Sequence, residues 1–362
     1  MAAEKRALVT GVAGQDGCYL AQLLLEKNYR IFGAIRPSSR LNLARLQELD
    51  IARDVELVDM DLLEFSNVLR VFEQIHPDEV YNLAAQQPQS PIPSSLRQRR
   101  SGRQRPRDEP VPVHMGNCDA LGVARLLEAA RAVNPKIRFF QASSSDMFGR
   151  NAEIPQSEAT PFHPRGSYAI AKLYGHWVTV DYRENLGTHA SSGILFNHES
   201  PFRGQEFVTR KITVSLARIK HGELDVLYLG NLDAKRDWGF AGDYVEAMWM
   251  MLQQPAGDDY VLATGELHTV REFVFATGAM LGFDVVFEGS GLKERGIDRK
   301  TGRTLICIDP KYYRPTEVTH SCGNPSKAEQ ALGWRRRTTF QQLVALMTEA
   351  DDRRVRDNRL RF

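Results

Sequence analysis

The sequence predicts an α/β protein: a doubly wound, mostly parallel sheet followed by a smaller C-terminal α/β lobe that binds the substrate. Short apolar strand-like segments alternate with apolar helical segments from Arg6 to about Phe196, which is the pattern of βαβ units. Glycine or polar residues follow several of these strands directly, as expected where a parallel sheet forms a ligand site at its carboxyl edge. A chain of 362 residues has ample material for this core and a second lobe.

The first unit pairs the strand Arg6–Thr10 with an apolar helix over Cys18–Glu26. Between them lie Gly11, Gly14 and Gly17 at the spacing GxxGxxG. The first glycine permits a tight turn, the second lets the backbone approach a pyrophosphate, and the third allows close helix–strand packing. The helix N-terminus then offers N–H groups and a favourable dipole to the phosphates. This arrangement predicts a dinucleotide-binding (Rossmann) unit rather than an ordinary glycine-rich turn.

The next three strands supply residues for the rest of a dinucleotide. The second, Arg30–Ile35, ends in Arg36, which favours a 2′-phosphate and therefore NADP over NAD. The third, Val55–Val58, leads to Asp61 and Leu62, where a carboxylate would meet the adenine amine. The fourth, Glu79–Asn82, runs into small residues that would let the chain pass close to the cofactor; these are Leu83, Ala84 and Ala85.

A fifth strand, Arg138–Ala142, leads into the chemical end of the site. It is followed by Ser144 and Asp146, and serines at the carboxyl end of a strand can donate a hydrogen bond to a substrate oxygen. Tyr168 and Lys172 lie one turn apart in a helical pattern, so they project from the same face. A neighbouring ammonium is expected to lower the pKa of the tyrosine and make it a general base near neutral pH.

Composition narrows the class of protein. No run is apolar enough to span a membrane, and the first strand begins too early for a signal peptide, so a cytoplasmic location is expected. Four cysteines lack a CxxC spacing and nine histidines lack an HExxH spacing. We therefore predict neither a disulfide framework nor a metal site.

Several longer stretches resemble the GDP-mannose 4,6-dehydratase family of the extended short-chain dehydrogenases/reductases. The resemblance spans nearly the whole chain, and NHESP and NLDAKRDWG are its most specific parts. The stretches are GVAGQD (11–16), NLAAQ (82–86), GILFNHESP (193–201), FVTRKI (207–212), LGNLDAKRDWG (229–239) and YYRPTEV (312–318).

This resemblance implies further site residues, NADP as cofactor, GDP-mannose as substrate, and a homo-oligomer, dimer or tetramer. The cations of the C-terminal half would serve the diphosphate of a nucleotide sugar, which arginine binds bidentately; they include Arg210. The residues assigned to the NADP side are Gln15, Asp16, His198 and Arg203. Those assigned to the GDP-sugar are Asn197, Lys211, Arg236, Arg314 and Glu317.

The reaction that the resemblance implies is an internal redox cycle. Tyr168 takes the proton of the sugar 4-hydroxyl while a hydride leaves C4 for NADP, and Ser144 hydrogen-bonds the C4 oxygen. Asp146 then removes the C5 proton, water leaves from C6, and the hydride returns to C6. The product is GDP-4-keto-6-deoxymannose.

The chain departs from the family pattern in three places. The family usually has Glu at position 146 and a second arginine after Arg36, where this chain has Pro37. The segment 87–116 replaces a short family connection, and a family tyrosine that helps to hold NADP is replaced near His114. This segment is rich in Pro, Arg and Gln and predicts a loosely held loop.

Six arginines against two carboxylates give the loop a net charge of +4, whereas the whole chain carries +2. The basic charge is therefore local and predicts no general affinity for nucleic acid. The loop is interpreted first as a solvated insertion; an arm that attracts phosphates or a partner and an out-of-frame stretch of a GC-rich gene remain open.

Alternative functions also remain open. A GDP-4-keto-6-deoxyhexose reductase or a nucleotide-sugar epimerase on the same scaffold would use a serine, Tyr168 and Lys172 but would need no acid at Asp146. A catalytically impaired relative that binds NADP or GDP is the other alternative. The acid, together with NHESP and NLDAKRDWG, favours the dehydratase.

The expected domain boundaries follow the apolar segments. Residues 1–196 form the NADP-binding unit, to which the chain returns over 228–264, where Phe240–Leu252 is helical and Tyr260–Ala263 a strand. Residues 197–227 and 265–350 form the substrate lobe. Residues 351–362 are expected to be a charged tail that frays.

Overall fold

A parallel seven-stranded sheet is the centre of the larger unit. The computed structural model describes residues 4–36, 42–85, 112–149, 153–312 and 321–360. The strands of the sheet, in chain order, are β1 Arg6–Thr10, β2 Arg30–Ile35, β3 Val55–Asp59, β4 Glu79–Asn82, β5 Arg138–Ser144, β6 Ala190–Leu195 and β11 Asp259–Leu262. Their spatial order is β11-β6-β5-β4-β1-β2-β3, so the order reverses between β1 and β4, as in a doubly wound fold.

Helices cover both faces of this sheet. The helices in chain order are α1 Gln15–Glu26, α2 Ala44–Glu48, α3 Phe65–Ile75, α4 Pro112–Met115, α5 Gly122–Val133, α6 Ser167–Glu184, α7 Val208–Lys220, α8 Ala241–Gln253, α9 Val270–Met280, α10 Ser326–Leu332 and α11 Phe340–Arg356. Helices α1 and α8 pack one face through side chains such as Leu24 and Met248. Helices α3 and α5 cover the other face, where Phe72 and Leu126 are fully buried. Burial on both faces explains why the strands are almost continuously apolar.

A four-stranded sheet forms the second unit. Its order is β13 Val285–Glu288, β14 Arg295–Asp298, β15 Thr304–Ile308 and β8 Leu227–Leu229. Helices α7, α9 and α11 share its apolar core. Two small ladders lie beside these sheets: β7 Asn197–Glu199 with β10 Trp238–Phe240, and β9 Lys235–Arg236 with β12 His268–Thr269.

The pairing of β8 corrects one boundary drawn from the sequence. Leu227 lies opposite Ile306 of β15 in the smaller sheet, so the returning segment starts later than residue 228, at α8. The chain also comes back to the larger unit after residue 320. There, the indole of Trp334 is buried and donates a 2.8 Å hydrogen bond to the carbonyl of Asp243 on α8. Sequence periodicity does not show which of two sheets a three-residue strand joins, because that choice depends on distant partners.

Two further expectations were wrong in part. The charged tail expected from residue 351 begins inside α11, and Arg354 is only 4 % exposed. The helix continues because Leu343 and Met347 anchor it in the core and Asp351 pairs with buried arginines. The end of the Arg/Pro-rich loop is also ordered: 112–115 form α4, and a π-helical turn, Gly116–Leu121, follows. Residues 87–111 lie outside the described residues.

Within the described ranges, no helix is long and apolar enough to cross a bilayer. The same residues hold no group of three or more His, Cys, Asp or Glu side chains arranged to bind a metal ion. The carboxyl edge of the large sheet is where a ligand site is expected in this fold. The ends of β1, β4, β5 and β6 meet there because these strands are neighbours and run parallel.

Candidate active site

The glycine-rich turn lies against the end of β4. Gly11 has a positive φ of 70°, which disfavours any side chain, and a Cβ there would lie 3.1 Å from the amide nitrogen of Ala84. A Cβ on Gly17 would lie 2.3 Å from the carbonyl oxygen of Gly11. These two glycines therefore allow α1 to start directly above the turn, and the backbone from Leu83 to Ala85 passes beside it.

Helix α1 presents its N-terminus to this edge. Gly14 is its N-cap, and no side chain of the described residues caps it. The N–H groups of a helix's first turn have no intrahelical partners, and the macrodipole adds positive potential. A phosphate group fits this end, because glycine places no side chain in the way.

Asp16, in the first turn of α1, is neutralised by His198. The Nε2 atom of His198 lies 2.8 Å from Oδ2 of Asp16, and Nδ1 donates to the carbonyl of Phe196 at 2.7 Å. Burial lowers the pKa of His198, but the Asp16 charge outweighs it and the pKa is raised. Burial would raise the pKa of Asp16, and the His198 charge outweighs that effect and lowers it. Gln15 completes the group by donating to the carbonyl of His198 at 3.0 Å.

Ser144 is the last residue of β5, and Asp146 follows it in a short 3₁₀ turn. Ser144 is the N-cap of a 3₁₀ turn, and its hydroxyl oxygen accepts a hydrogen bond from the amide of Asp146 at 3.2 Å. The same hydroxyl hydrogen-bonds the Tyr168 side chain. The Asp146 side chain is exposed at this edge, and its charge acts on Tyr168. The structure therefore brings together the serine, the acid and the tyrosine that the sequence analysis singled out.

Tyr168 and Lys172 project from α6, but the electrostatic expectation for this pair was wrong. The pKa of Tyr168 is raised, first by burial and then by the charges of Asp146 and Asp119. The ammonium of Lys172 lies 5.8 Å from the tyrosine ring centroid and donates to the carbonyl of Ala142 at 2.8 Å. Burial lowers the pKa of Lys172. The lysine is thus held by β5, while two carboxylates face the tyrosine.

The adenosine-side candidates lie at the ends of β2 and β3. Arg36 directly follows β2, and its charge, after burial, lowers the pKa of the nearby His114. Asp61 follows β3, and its Oδ1 atom accepts a hydrogen bond from the amide of Leu63 at 3.0 Å. Leu62 is half-buried beside it.

The substrate-side candidates lie on the smaller ladders. Asn197 opens β7 directly opposite Trp238 of β10. Arg236 lies two residues before Trp238, and its Nη1 donates to the carbonyl of Lys235 at 2.8 Å. The strand pairing places both candidates next to the end of the large sheet, since β7 continues from β6 after a single residue.

Lys211 lies on α7. Its ammonium donates to the carbonyl of Tyr228 at 2.6 Å and lies 3.5 Å from the ring centroid of Tyr312. Burial lowers its pKa. The candidates Arg314 and Glu317 lie outside the described residues.

Arg203 and Arg210 have different surroundings. The Nε atom of Arg203 lies 3.2 Å from Oε2 of Glu199, and its positive charge acts against the rise in the pKa of Tyr168. Arg210 is fully buried, with Nε 2.8 Å from Oδ2 of Asp351. Its expected role beside a diphosphate was therefore wrong, because its charge is compensated in the interior.

Comparison with known proteins shows the family of this chain. The family model described as GDP-mannose 4,6 dehydratase matches residues 8–347. GDP-mannose 4,6-dehydratases of Sinorhizobium fredii and Homo sapiens are 47 % and 43 % identical over 97 % of this chain, and the matches cover 97 % and 92 % of those proteins. The chain belongs to the GDP-mannose 4,6-dehydratase family. It is therefore an enzyme of the dehydratase class, and these relatives do not favour the reductase, epimerase or impaired alternatives.

Solved structures agree with this family at the level of the fold. The structure of RMD from Pseudomonas aeruginosa complexed with NADPH has a TM-score of 0.72 at 23 % identity and covers 97 % of this chain and 99 % of that one. The dTDP-glucose 4,6-dehydratase of Bacillus anthracis in complex with NAD has a TM-score of 0.75 at 18 % identity, with coverages of 96 % and 97 %.

Within this dehydratase-family site, sequence analysis missed a buried polar network at the strand ends. The hydroxyl oxygen of Thr10 accepts hydrogen bonds from the amides of Leu83 and Ala84, both at 3.0 Å. The Thr10 hydroxyl itself donates to Oδ1 of Asn82 at 2.7 Å. These bonds fix the backbone of the small residues that follow β4.

The network continues to Lys172 on α6. Asn82 donates to Oε1 of Gln141 at 2.8 Å, and Gln141 donates to the carbonyl of Ala142 at 3.2 Å. That carbonyl also accepts from Lys172. The available signal was a polar residue within the last positions of otherwise apolar strands, since a buried polar side chain requires partners.

Proposed function

We propose that the chain converts GDP-mannose to GDP-4-keto-6-deoxymannose with NADP, using Ser144, Asp146, Tyr168 and Lys172 as catalytic residues. The observation that carries this proposal is the meeting of a serine, an exposed acid and a tyrosine at one sheet edge that also holds a glycine-rich helix N-terminus. A reductase or an epimerase would not require the acid.

The residues present fit a dinucleotide. Gly11 and Gly17 let α1 begin directly at the turn, because a Cβ at either position would meet backbone atoms, and the uncapped N-terminus of α1 suits a pyrophosphate. Arg36 at the end of β2 supports NADP over NAD, because a guanidinium pairs with a 2′-phosphate. Gln15, Asp16, His198 and Arg203 complete the cofactor side in this proposal, together with Gly14, Asp61, Leu62, Leu83, Ala84 and Ala85. Bound NADP supplies the position that accepts the hydride from C4 and later returns it to C6.

Tyr168 handles the proton of the sugar 4-hydroxyl. Its raised pKa keeps the phenol protonated in this structure, so the tyrosinate must be stabilised during catalysis. The Ser144 hydroxyl and the Arg203 charge both act in that direction. The Lys172 ammonium, held by the Ala142 carbonyl, adds a fixed positive charge 5.8 Å from the ring.

Asp146 removes the C5 proton after the 4-ketone has acidified it. Protonation of Asp146 also removes one of the charges that raise the pKa of Tyr168. The two groups therefore ionise in a coupled way, as expected of titratable groups that share one site. The Ser144 hydroxyl holds the Asp146 backbone and the C4 oxygen, and water leaves from C6.

The nucleotide-sugar side is proposed for Asn197, Lys211 and Arg236, with Arg314 and Glu317 beyond the described residues. Arg236 lies on β9 and Lys211 on α7, and arginine suits a diphosphate because it donates two parallel hydrogen bonds. The larger unit serves NADP and the smaller unit serves the sugar nucleotide.

A homo-oligomer, dimer or tetramer, is also proposed. One side of the catalytic helix α6 exposes Ile170, Tyr174 and Trp177, at 57 %, 45 % and 54 %. Large apolar side chains concentrated on one face favour association, and a two-fold copy covers the same face on both subunits. The protein is proposed to act in the cytoplasm, without nucleic-acid or membrane partners. Light scattering of wild type and Trp177→Glu tests the oligomer.

The deciding experiment incubates the purified protein with GDP-mannose and catalytic NADP, without added reductant, and follows the product by mass spectrometry. We expect loss of one water and a 4-keto-6-deoxy sugar. Tyr168→Phe should abolish turnover, whereas the matched control Tyr182→Phe, further along α6 with its hydroxyl donating to Glu128, should retain it. Absence of product from folded protein that binds NADP would contradict the proposal and favour an impaired relative.

A further inference from the structure

Three consecutive backbone carbonyls after β7 are each held by an arginine from a different helix. The three arginine side chains come from α11, α2 and α7, and all are largely withdrawn from solvent. The pairs are Arg354 Nη1 to Pro201 O at 2.7 Å, Arg45 Nε to Phe202 O at 2.8 Å, and Arg210 Nη1 to Arg203 O at 2.6 Å.

Carboxylates compensate the charge of two of these arginines. Asp351 accepts from Arg210 at 2.8 Å and from Arg354 at 3.0 Å, and Glu48 accepts from Arg354 at 2.6 Å. Buried ion pairs contribute little to stability relative to apolar packing. A guanidinium, however, has five donors in a fixed plane and can hold a carboxylate and a carbonyl at once. The geometry therefore suits positioning of the loop 201–203.

Arg45 also contacts the glycine-rich turn. Its Nη1 donates to the carbonyl of Ala13 at 3.2 Å, within the glycine-rich turn and one residue before the N-cap Gly14. One guanidinium therefore joins the turn to the carbonyl of Phe202. Burial lowers the pKa of Arg45, yet arginine remains charged at physiological pH.

We propose that Arg45 is a positioning residue that keeps the glycine-rich turn and the loop 201–203 in register. The inference rests on the proposed dinucleotide site, because both joined segments carry its candidate residues. A second link runs in parallel: the Ser200 hydroxyl donates to Oε1 of Gln15 at 2.8 Å. Loss of Arg45 removes the link between the carbonyls of Ala13 and Phe202, so Arg203 is held less firmly relative to the α1 N-terminus.

The test compares wild type with Arg45→Met, Arg45→Lys and the control Arg218→Met, a partly exposed arginine on α7 whose Nε lies 3.3 Å from Glu223. Dinucleotide affinity is measured by titration with NADPH and with NADH. We expect Arg45→Met to weaken the affinity for whichever dinucleotide wild type binds more tightly. The loss should be about 10- to 100-fold, because two hydrogen bonds from a charged donor are lost. Arg45→Lys should be intermediate, since an ammonium reaches one carbonyl, and the control should stay within about twofold.

A second readout needs no cofactor. Amide hydrogen exchange of the peptide spanning 197–207 should be faster in Arg45→Met and unchanged in the control. If folded Arg45→Met keeps the dinucleotide affinity and the amide hydrogen exchange of wild type, the inference is overturned. If Arg45→Met does not fold, wild-type amide hydrogen exchange in Arg45→Lys overturns it instead. Failure of wild type to bind either dinucleotide would contradict the proposed function instead, and the exchange readout would still decide the role of Arg45.

Discussion

Replacing the exposed acid of the active site separates the two halves of the proposed reaction. Asp146→Asn keeps the size of the side chain and the amide that Ser144 holds at 3.2 Å, but removes the base for C5. General bases contribute about 10²- to 10⁴-fold, so overall turnover should fall by about that factor. The first half, oxidation at C4, does not use this base and should persist.

The same substitution should favour the first half-reaction, because it changes the pKa of Tyr168. The Asp146 charge is the largest cause after burial that raises the pKa of Tyr168, so its removal should lower that pKa. In a single turnover with stoichiometric NADP, Asp146→Asn should therefore accumulate reduced cofactor, and the pH midpoint of that half-reaction should move downward. Stopped-flow absorbance of the reduced nicotinamide across a pH series measures both effects.

Asp146→Glu is the matched variant. One added methylene extends the carboxylate by more than an ångström, and a misplacement of about that size can change a rate by about a hundredfold. If reach limits this enzyme, turnover should rise in Asp146→Glu while the pH midpoint stays close to that of wild type. Turnover of Asp146→Asn within about tenfold of wild type, or loss of its reduced-cofactor signal, would refute the reasoning.

Three further outcomes follow from the charged groups. Asp351→Ala leaves the buried Arg210 without its carboxylate and should cost about 3–5 kcal/mol, or about 4–7 °C in thermal midpoint for a chain of this length; a shift under about 1 °C would contradict the ion-pair interpretation. Because the pKa of His198 is raised in the folded protein, its pairing with Asp16 contributes its full stabilisation of the folded state below about pH 6.5. That contribution is lost as pH rises through the raised pKa, so the difference in thermal unfolding midpoint between wild type and His198→Asn should become smaller at alkaline pH. A difference that does not change with pH would exclude this linkage. Arg36→Ser should weaken NADP by about tenfold or more and NAD by less than about twofold in fluorescence titrations, and equal losses would argue against a 2′-phosphate contact.

Local pattern was sufficient for much of the larger unit. The strands Arg6–Thr10, Arg30–Ile35 and Glu79–Asn82 have the predicted bounds, because each is a short apolar run bounded by glycine or polar residues. The fifth strand extends two residues further than predicted, to Ser144. Its last residues pair with β6, and that pairing is invisible in the segment itself.

For the candidate site, the sequence predicted which residues meet but not their electrostatics. Ser144, Tyr168 and Lys172 are recognisable from residue type and spacing, and Asp146 from the family resemblance. The pKa direction of Tyr168 was not predictable, since it depends on burial and on Asp119, a residue from a different helical turn.

The sequence by itself determined the order of the strands in the larger unit, the glycine-rich turn and the membership of a dehydratase family, because these depend on residue type at short spacing. Only the tertiary structure decided that Arg210 pairs with Asp351 inside the protein, that Arg354 belongs to a buried helix and that Arg45 joins two loops. A charged side chain looks the same in sequence whether it faces solvent or the interior. Asp351 is 141 positions from Arg210, and Phe202 is 157 positions from Arg45, so only folding brings these partners within hydrogen-bonding distance.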